Sequence, residues 1–235
     1  DGAATLAEMA EAARALGYGY LVISDHTQSL GVAGGLDPEQ VRAQRAEIDA
    51  LNAGWDDFHL LQGCELEIKA DGSLDFDDEV LAGLDLVVAS VHTSLRQDAD
   101  QITGRVLNAL ANPYVDVIGH PSGRLLGQRE GSAVDLEAVI RAAAASGTAL
   151  EVNSIPARLD LDDVHVRRAV DLGVKVAINS DAHHPDGLEN LTYGLATARR
   201  GWATAADVLN TYTLDELRAW RRARIERAHS QESKS

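Results

Sequence analysis

An α/β fold built on a parallel sheet is what this 235-residue sequence predicts, on three observations. Short apolar runs alternate with helical segments, six strands in all, the pattern of right-handed βαβ units. Ala, Val and Leu are abundant while aromatic residues make up only 4%, a composition suited to helices packed on a parallel sheet. Nearly every apolar run also ends in a polar residue able to bind metal. A barrel gathers such strand ends at one mouth, whereas a doubly wound sheet spreads them along an edge, so a barrel is predicted. The length suffices for one sizeable core, and no internal repeat or linker divides residues 1–235, which are expected to form one domain.

The first helix is expected over residues 5–16, where Leu6, Met9, Ala10, Ala13 and Leu16 share a face and Gly17 ends the run. A strand over 20–23 leads straight into Ser24-Asp25-His26. After the Gly-rich stretch 31–35, Asp37-Pro38-Glu39 opens a second helix to about residue 53, with Asp as N-cap and Pro at the first helical position. The strand over 60–63 delivers Cys64-Glu65, and Asp71-Gly72 marks a hairpin turn within 69–75. Strand 84–90 ends on Val91-His92-Thr93, and a helix over 98–110 stops before Asn112-Pro113. Strand 115–118 ends on Gly119-His120-Pro121, a helix over 135–145 is closed by Gly147, and strand 149–152 ends on Asn153. A helix over 162–172 is closed by Gly173, and strand 174–178 ends on Asn179-Ser180-Asp181-Ala182-His183. The remainder is helical over 191–200, 205–210 and 214–228, with a polar tail expected to fray.

The formal charge of -16 repels polyanions at long range, which makes the isolated chain a poor nucleic-acid binder on charge alone. Two or three bound divalent ions would return about four to six positive charges locally. Cys64 is the only cysteine, which excludes an internal disulfide and fits a reducing compartment. No apolar run approaches the ~20 residues of a membrane helix and no signal-peptide pattern is present. A soluble, cytoplasmic protein without a membrane partner is expected. Asp1-Gly2 reads as the end of a loop, with neither an initiator Met nor a strand before it, so the chain is expected to be a fragment lacking upstream sequence.

A histidine beside an apolar run is by itself more often structural than metal-binding. His26, Glu65, His92, His120, Asp181 and His183 instead recur at the same place on five strands, and imidazole with carboxylate is a donor set for divalent metals. His59, His165 and His229 fall at a strand start, in a helix and in the tail, and are expected at the surface; His184 is expected to point away from His183. Cys64 should face away from Glu65 as a buried filler, and Glu67 is expected in the loop beyond the strand. The arginines of 218–227 are expected on a solvated helix face.

Ser24-Asp25-His26, Gly63-Cys64-Glu65-Leu66-Glu67, Ser90-Val91-His92, Gly119-His120-Pro121 and Ser180-Asp181-Ala182-His183 resemble, in order and spacing, the motifs of the polymerase and histidinol phosphatase (PHP) superfamily. More narrowly, the stretch 119–127, Glu151-Val152-Asn153 with Arg158-Leu159-Asp160-Leu161, and Leu209-Asn210-Thr211 with Leu217 and Trp220 resemble the C-terminal PHP domain of bacterial family X DNA polymerases. The resemblance implies a distorted seven-stranded (β/α)7 TIM-like barrel whose first strand, carrying an H-x-H motif, is missing from the given chain. It implies two to three divalent ions, manganese or zinc, with magnesium or iron as alternatives. Carried over residue by residue, Glu65 bridges two metals, His92 and His120 bind the second, Asp181 completes the first, and His26, His183 and Asp1 hold the third.

Glu65, Asp181 and Asp25 are the expected catalytic carboxylates, Asp25 by orienting a bound histidine or water. Arg96, Arg124, Arg158 and Asn153 follow strand ends where a forked guanidinium or an amide can meet a phosphate ester. The implied activity is hydrolysis of DNA phosphoesters by a metal-bridging hydroxide: 3′-5′ exonuclease, 3′-end processing or abasic-site cleavage, with DNA held by an upstream polymerase domain. The alternatives are a histidinol-phosphatase-like enzyme for small phosphate esters and a non-catalytic structural module. A barrel without its first strand is expected to be unstable, with exposed edges.

Overall fold

The computed structural model describes residues 2–232. Its elements are α1 (Leu6–Ala15), β1 (Tyr20–His26), α2 (Pro38–Asn52), β2 (His59–Glu67), α3 (Asp78–Ala82), β3 (Leu86–Ser90), α4 (Ala99–Ala111) and β4 (Val117–Ile118). There follow α5 (Leu136–Ser146), β5 (Ala149–Asn153), α6 (Asp163–Asp171), β6 (Val176–Asn179), α7 (Leu191–Arg200) and α8 (Leu214–Glu232). Much of the acidic excess serves local structure. Asp37, Asp77, Asp98, Asp135 and Asp162 each accept a backbone N–H at a helix start, where a carboxylate also meets the positive end of the helix dipole. Thr5 and Glu8 close a reciprocal capping box on α1.

The six strands lie in sequence order and every neighbouring pair is parallel, forming a curled sheet with helices outside it. No seventh strand is found among the described residues. Two strands run further than the apolar pattern marks, β1 to His26 and β2 to Glu67. Ladder bonds do not require apolar side chains, so a strand continues until pairing ends. Residues 205–210 form two short 3-10 turns, Ala205–Asp207 and Leu209–Thr211, rather than an α-helix. Of the tail expected to fray, residues 229–232 continue α8 to Glu232, and residues 233–235 lie outside the described residues.

Alternation along the strands divides the core. Leu66, Val87, Ala89, Ile118, Leu150 and Val152 pack outward against helix residues such as Val106, Val139, Ile140 and Val166. Leu61, Leu86, Val88, Val117, Ala149 and Ala177 point inward and form an apolar floor with Leu209 and Leu217. Higher in the same inward columns stand Gly63 and Gly119. A Cβ on Gly63 would meet Leu86 O at 2.7 Å and Val22 Cγ1 at 2.8 Å, and one on Gly119 would meet Ser90 Oγ at 2.2 Å, so the interior at that level is closed by backbone contact. Above them come Glu65 and His120.

The floor is sealed from below. Asp116, fully buried just before β4, accepts from Arg221 Nε at 2.8 Å, from Arg224 Nη2 and from Val87 N at 3.0 Å. The arginines expected on a solvated face are thus divided: Arg221 and Arg224 clamp α8 to the sheet, while Arg218, Arg222 and Arg227 are exposed. Between β1 and β6 the curl leaves a cavity of about 720 Å³, lined by residues of both strands from Tyr20 to His26 and from Ala177 to Asn179. Its lower end is bridged by Tyr20 Oη donating to Tyr212 O at 3.0 Å, and Asn210 bonds both Ile178 N and Ile178 O along the edge of β6. Asp116→Ala strands one fully buried and one largely buried guanidinium, and a loss of about 3–5 kcal/mol is expected in urea denaturation.

Candidate metal centre

Each inward column ends at the mouth in a donor. On β2 the column is Leu61, Gly63, Glu65, Glu67; on β3 it runs from Leu86 through Val88 and Ser90 to His92 just past the strand; on β1 it ends at His26. The Glu65 carboxylate receives three imidazoles: His120 Nε2 at 3.0 Å and His92 Nε2 at 3.1 Å on Oε1, and His26 Nδ1 at 3.4 Å on Oε2. The rings of His26 and His92 meet edge to face at 4.9 Å, as do those of His92 and His120 at 5.0 Å. One ligand atom each from His26, Glu65 and His92 falls within 4.8 Å of the others.

Asp181 closes the other side. Its Oδ2 accepts from Asn153 Nδ2 at 2.9 Å and lies 3.7 Å from Arg158 Nε. His183 is at the exposed rim, with Nδ1 2.9 Å from Asp181 O and its ring 6.5 Å from that of His26. Two of these residues sit in left-handed backbone: His120 at φ 25° and Asp181 at φ 51°. Strain of this kind on a bulky His persists only where surrounding bonds over-determine it, and it concentrates at functional sites.

The charge states follow from burial against pairing. Burial alone would raise the Glu65 carboxyl, but the hydrogen bonds of His120 and His92 outweigh it and hold it well below its usual range. Burial depresses His92, yet Glu65 and Glu67 overcome that and push it up to about 9; His120 is raised in the same way by Glu65. His26 is lowered, because burial exceeds the pull of Glu65. Burial, with the Asp181 and Glu65 carboxylates nearby, pushes Glu151 up to about 7 against the opposing pull of His120.

Glu67 is a correction to the sequence reading. It is the last residue of β2, only 2% exposed, and takes His92 Nδ1 at 2.7 Å and Thr93 Oγ1 at 2.9 Å. A carboxylate behind one ring nitrogen turns the other toward the centre, the outer-layer device of histidine metal sites. Arg105 of α4, buried, ties down the same corner through Ile68 O, Thr93 O at 3.0 Å and Gln97 Oε1 at 2.8 Å. Glu151 and Asn179 were also not singled out as site residues, although each stands two positions before one that was, Glu151 before Asn153 on β5 and Asn179 before Asp181 after β6.

Other expectations fall differently. Asp25 accepts from Gln44 of α2, on the face of β1 opposite His26, so it does not orient that ring directly. Arg124 spends its guanidinium on Arg158 O at 2.9 Å, Leu159 O and Asp162 at 3.3 Å, stitching the loop after β4 to the loop after β5. Arg96 is exposed in the loop after β3, and Asp1 lies outside the described residues. Cys64 is buried away from the centre, and His184 caps the turn at Pro185–Asn190.

The donor set fits divalent metal. A carboxylate shared by three imidazoles, with one ring backed by a second carboxylate, supplies borderline nitrogen and hard oxygen ligands at one spot.

The chain is 46% identical over 220 residues to the DNA polymerase/3′-5′ exonuclease PolX of Bacillus subtilis, an alignment covering 94% of this chain and 39% of that protein. The chain belongs to the polymerase and histidinol phosphatase (PHP) superfamily. A probable phosphatase of Thermoanaerobacter sp. is 32% identical over 162 residues, 65% of this chain and 64% of its own length. This PHP chain therefore spans under two thirds of either relative. Its fold is similar to histidinol phosphate phosphatase from Lactococcus lactis, solved with zinc, L-histidinol and phosphate, at TM-score 0.61 and 14% identity over 86% of this chain and 89% of the other. No protein-family model matches. Glu67→Gln keeps the shape but weakens the orientation of His92, and manganese affinity by calorimetric titration should fall about 10–100-fold without loss of fold.

Proposed function

We propose that residues 1–235 are a metal-dependent phosphoesterase domain that hydrolyses DNA phosphoesters at strand ends, beside a polymerase domain that holds the DNA. The observation that carries this is the Glu65 carboxylate gripped by His26, His92 and His120 with an arginine, Arg158, across the mouth at Asp181. The likeness to a DNA polymerase/3′-5′ exonuclease over 94% of the chain supports DNA as the substrate class.

Glu65, His26, His92, His120, Asp181 and His183 would hold two to three divalent ions, manganese or zinc. Such ions neutralise phosphate oxygens and lower the pKa of a water towards neutrality. The chain's own residues do the rest. Arg158 offers a forked donor to a phosphate oxygen, which would draw it from Asp181. Asn153 fixes Asp181, and Glu67 fixes His92. Arg96 remains within the proposed substrate contacts, whereas Asn153, expected among them, is buried with its amide committed to Glu151, Asp181 and Ile155 N, and Arg124 supports Arg158 by holding its carbonyl.

A seventh strand is part of this proposal. The cavity between β1 and β6 is where it would stand, with its upper end beside His26 and Glu65. It would pair along β1, because Asn210 already occupies the edge of β6 at Ile178.

The test is manganese-dependent release of nucleotides from a labelled 3′-recessed duplex by the full-length protein. Glu65→Gln and Asp181→Asn should each reduce it to background while the polymerase reaction persists. Cleavage that survives both substitutions overturns the reading. Turnover of histidinol phosphate or a similar small ester without DNA cleavage moves the chain to the phosphatases instead.

A further inference from the structure

Below the ligand shell lies one carboxylate that no ligand role accounts for. Glu151, 4% exposed on β5, has three N–H donors converging on its two oxygens. His120 N reaches Oε2 at 2.6 Å, Asn153 Nδ2 reaches Oε2 at 3.3 Å, and Asn179 Nδ2 reaches Oε1 at 2.8 Å. Each partner leads to the centre. His120 carries the imidazole on Glu65, Asn153 Nδ2 also reaches Asp181 Oδ2, and Asn179 ends the strand that delivers Asp181.

We propose that Glu151 is a positioning residue, the hub that fixes His120 and Asp181 relative to each other across β4, β5 and β6. This rests on the metal-binding reading of the Glu65 centre but not on DNA as the substrate.

The backbone geometry argues for it. His120 and Asp181 are the two centre residues with positive φ, and both connect to this one side chain, His120 through its own amide and Asp181 through Asn153. A non-glycine residue held at φ 25° relaxes unless something fixes its peptide, and a 2.6 Å bond from that peptide's N–H to a buried carboxylate does so. All three partners are donors, so both oxygens must accept. A glutamine here would aim its own NH2 at one of those N–H groups while keeping the shape and bulk of the side chain.

The decisive comparison is manganese binding, by calorimetric titration, to the full-length parent and to its Glu151→Gln variant, alongside the urea midpoint of each. Affinity should fall about 10–100-fold, as for other outer-layer partners of metal ligands. The amide proton of His120, shifted far downfield by its short bond in the metal-free parent, should move upfield in the variant. Asp116→Asn, which weakens the opposite end of the barrel, serves as the structural comparator and should lower the urea midpoint without that loss of affinity. Unchanged manganese affinity in Glu151→Gln overturns the inference while leaving the metal centre standing. If the parent binds zinc but not manganese, the same comparison is read with zinc; a parent that binds neither overturns the centre and the inference together. If Glu151→Gln does not fold, Asn179→Ala decides, since it withdraws one donor from the same carboxylate and removes no ligand. A several-fold loss of affinity supports the hub, and none overturns it.

Discussion

A buried carboxylate sharing three imidazoles is the constraint from which the rest of this molecule follows. Glu65 lies inside a parallel sheet, where an isolated charge is costly to bury unless paired. The three histidines at 3.0–3.4 Å remove that cost, and each must arrive from a different strand at the same height. A curled sheet of strands in sequence order meets the requirement, because strand ends converge at one mouth. The interior therefore changes character along its axis: apolar at Leu61, Leu86 and Val117, backbone-tight at Gly63 and Gly119, polar at Glu65 and His120.

The loops around the centre are built rather than draped. Arg124 and Asp162 join the loops after β4 and β5, and Asp160, buried, receives the amides of Ser122 and Gly123. Arg105 does the same for the loops after β2 and β3. Loops pinned by buried charged hydrogen bonds hold their side chains more closely than free loops do, and this matters where a ligand misplaced by about an ångström loses its function. It also explains why arginines near a proposed phosphate site are not interchangeable: Arg158 faces Asp181, whereas Arg124 is committed to structure.

The negative charge of the chain is likewise not uniform in meaning. Five aspartates sit at helix starts, Asp116 is consumed by Arg221 and Arg224, and Glu67 and Glu151 are buried in the mouth network. A net charge read from composition therefore says little about the field at the centre, where the Glu65, Glu67, Glu151 and Asp181 side chains gather and bound cations would offset their charge.

The sequence by itself determined the order of most elements and the parallel α/β class, and it singled out His26, Glu65 and His92, which the fold brings together. Each rests on local chemistry: short apolar runs, Asp and Pro at helix starts, Gly at helix ends, and a histidine or acid where most strands stop. It did not determine which polar residues support those donors. Glu67 was lost because an apolar run ends before its strand does, since backbone pairing is indifferent to side-chain polarity. Asp25 and Arg124 were assigned to the reaction because they neighbour the right residues in sequence. Alternation, however, turns Asp25 to α2, and the carbonyls of a loop some thirty-five positions away engage Arg124. Glu151 shared the inward period of Asn153, but its role exists only where β4, β5 and β6 meet. Candidate ligands are legible because strand ends repeat one pattern; their supports are decided by tertiary structure, because a hydrogen-bond partner is chosen by proximity in space.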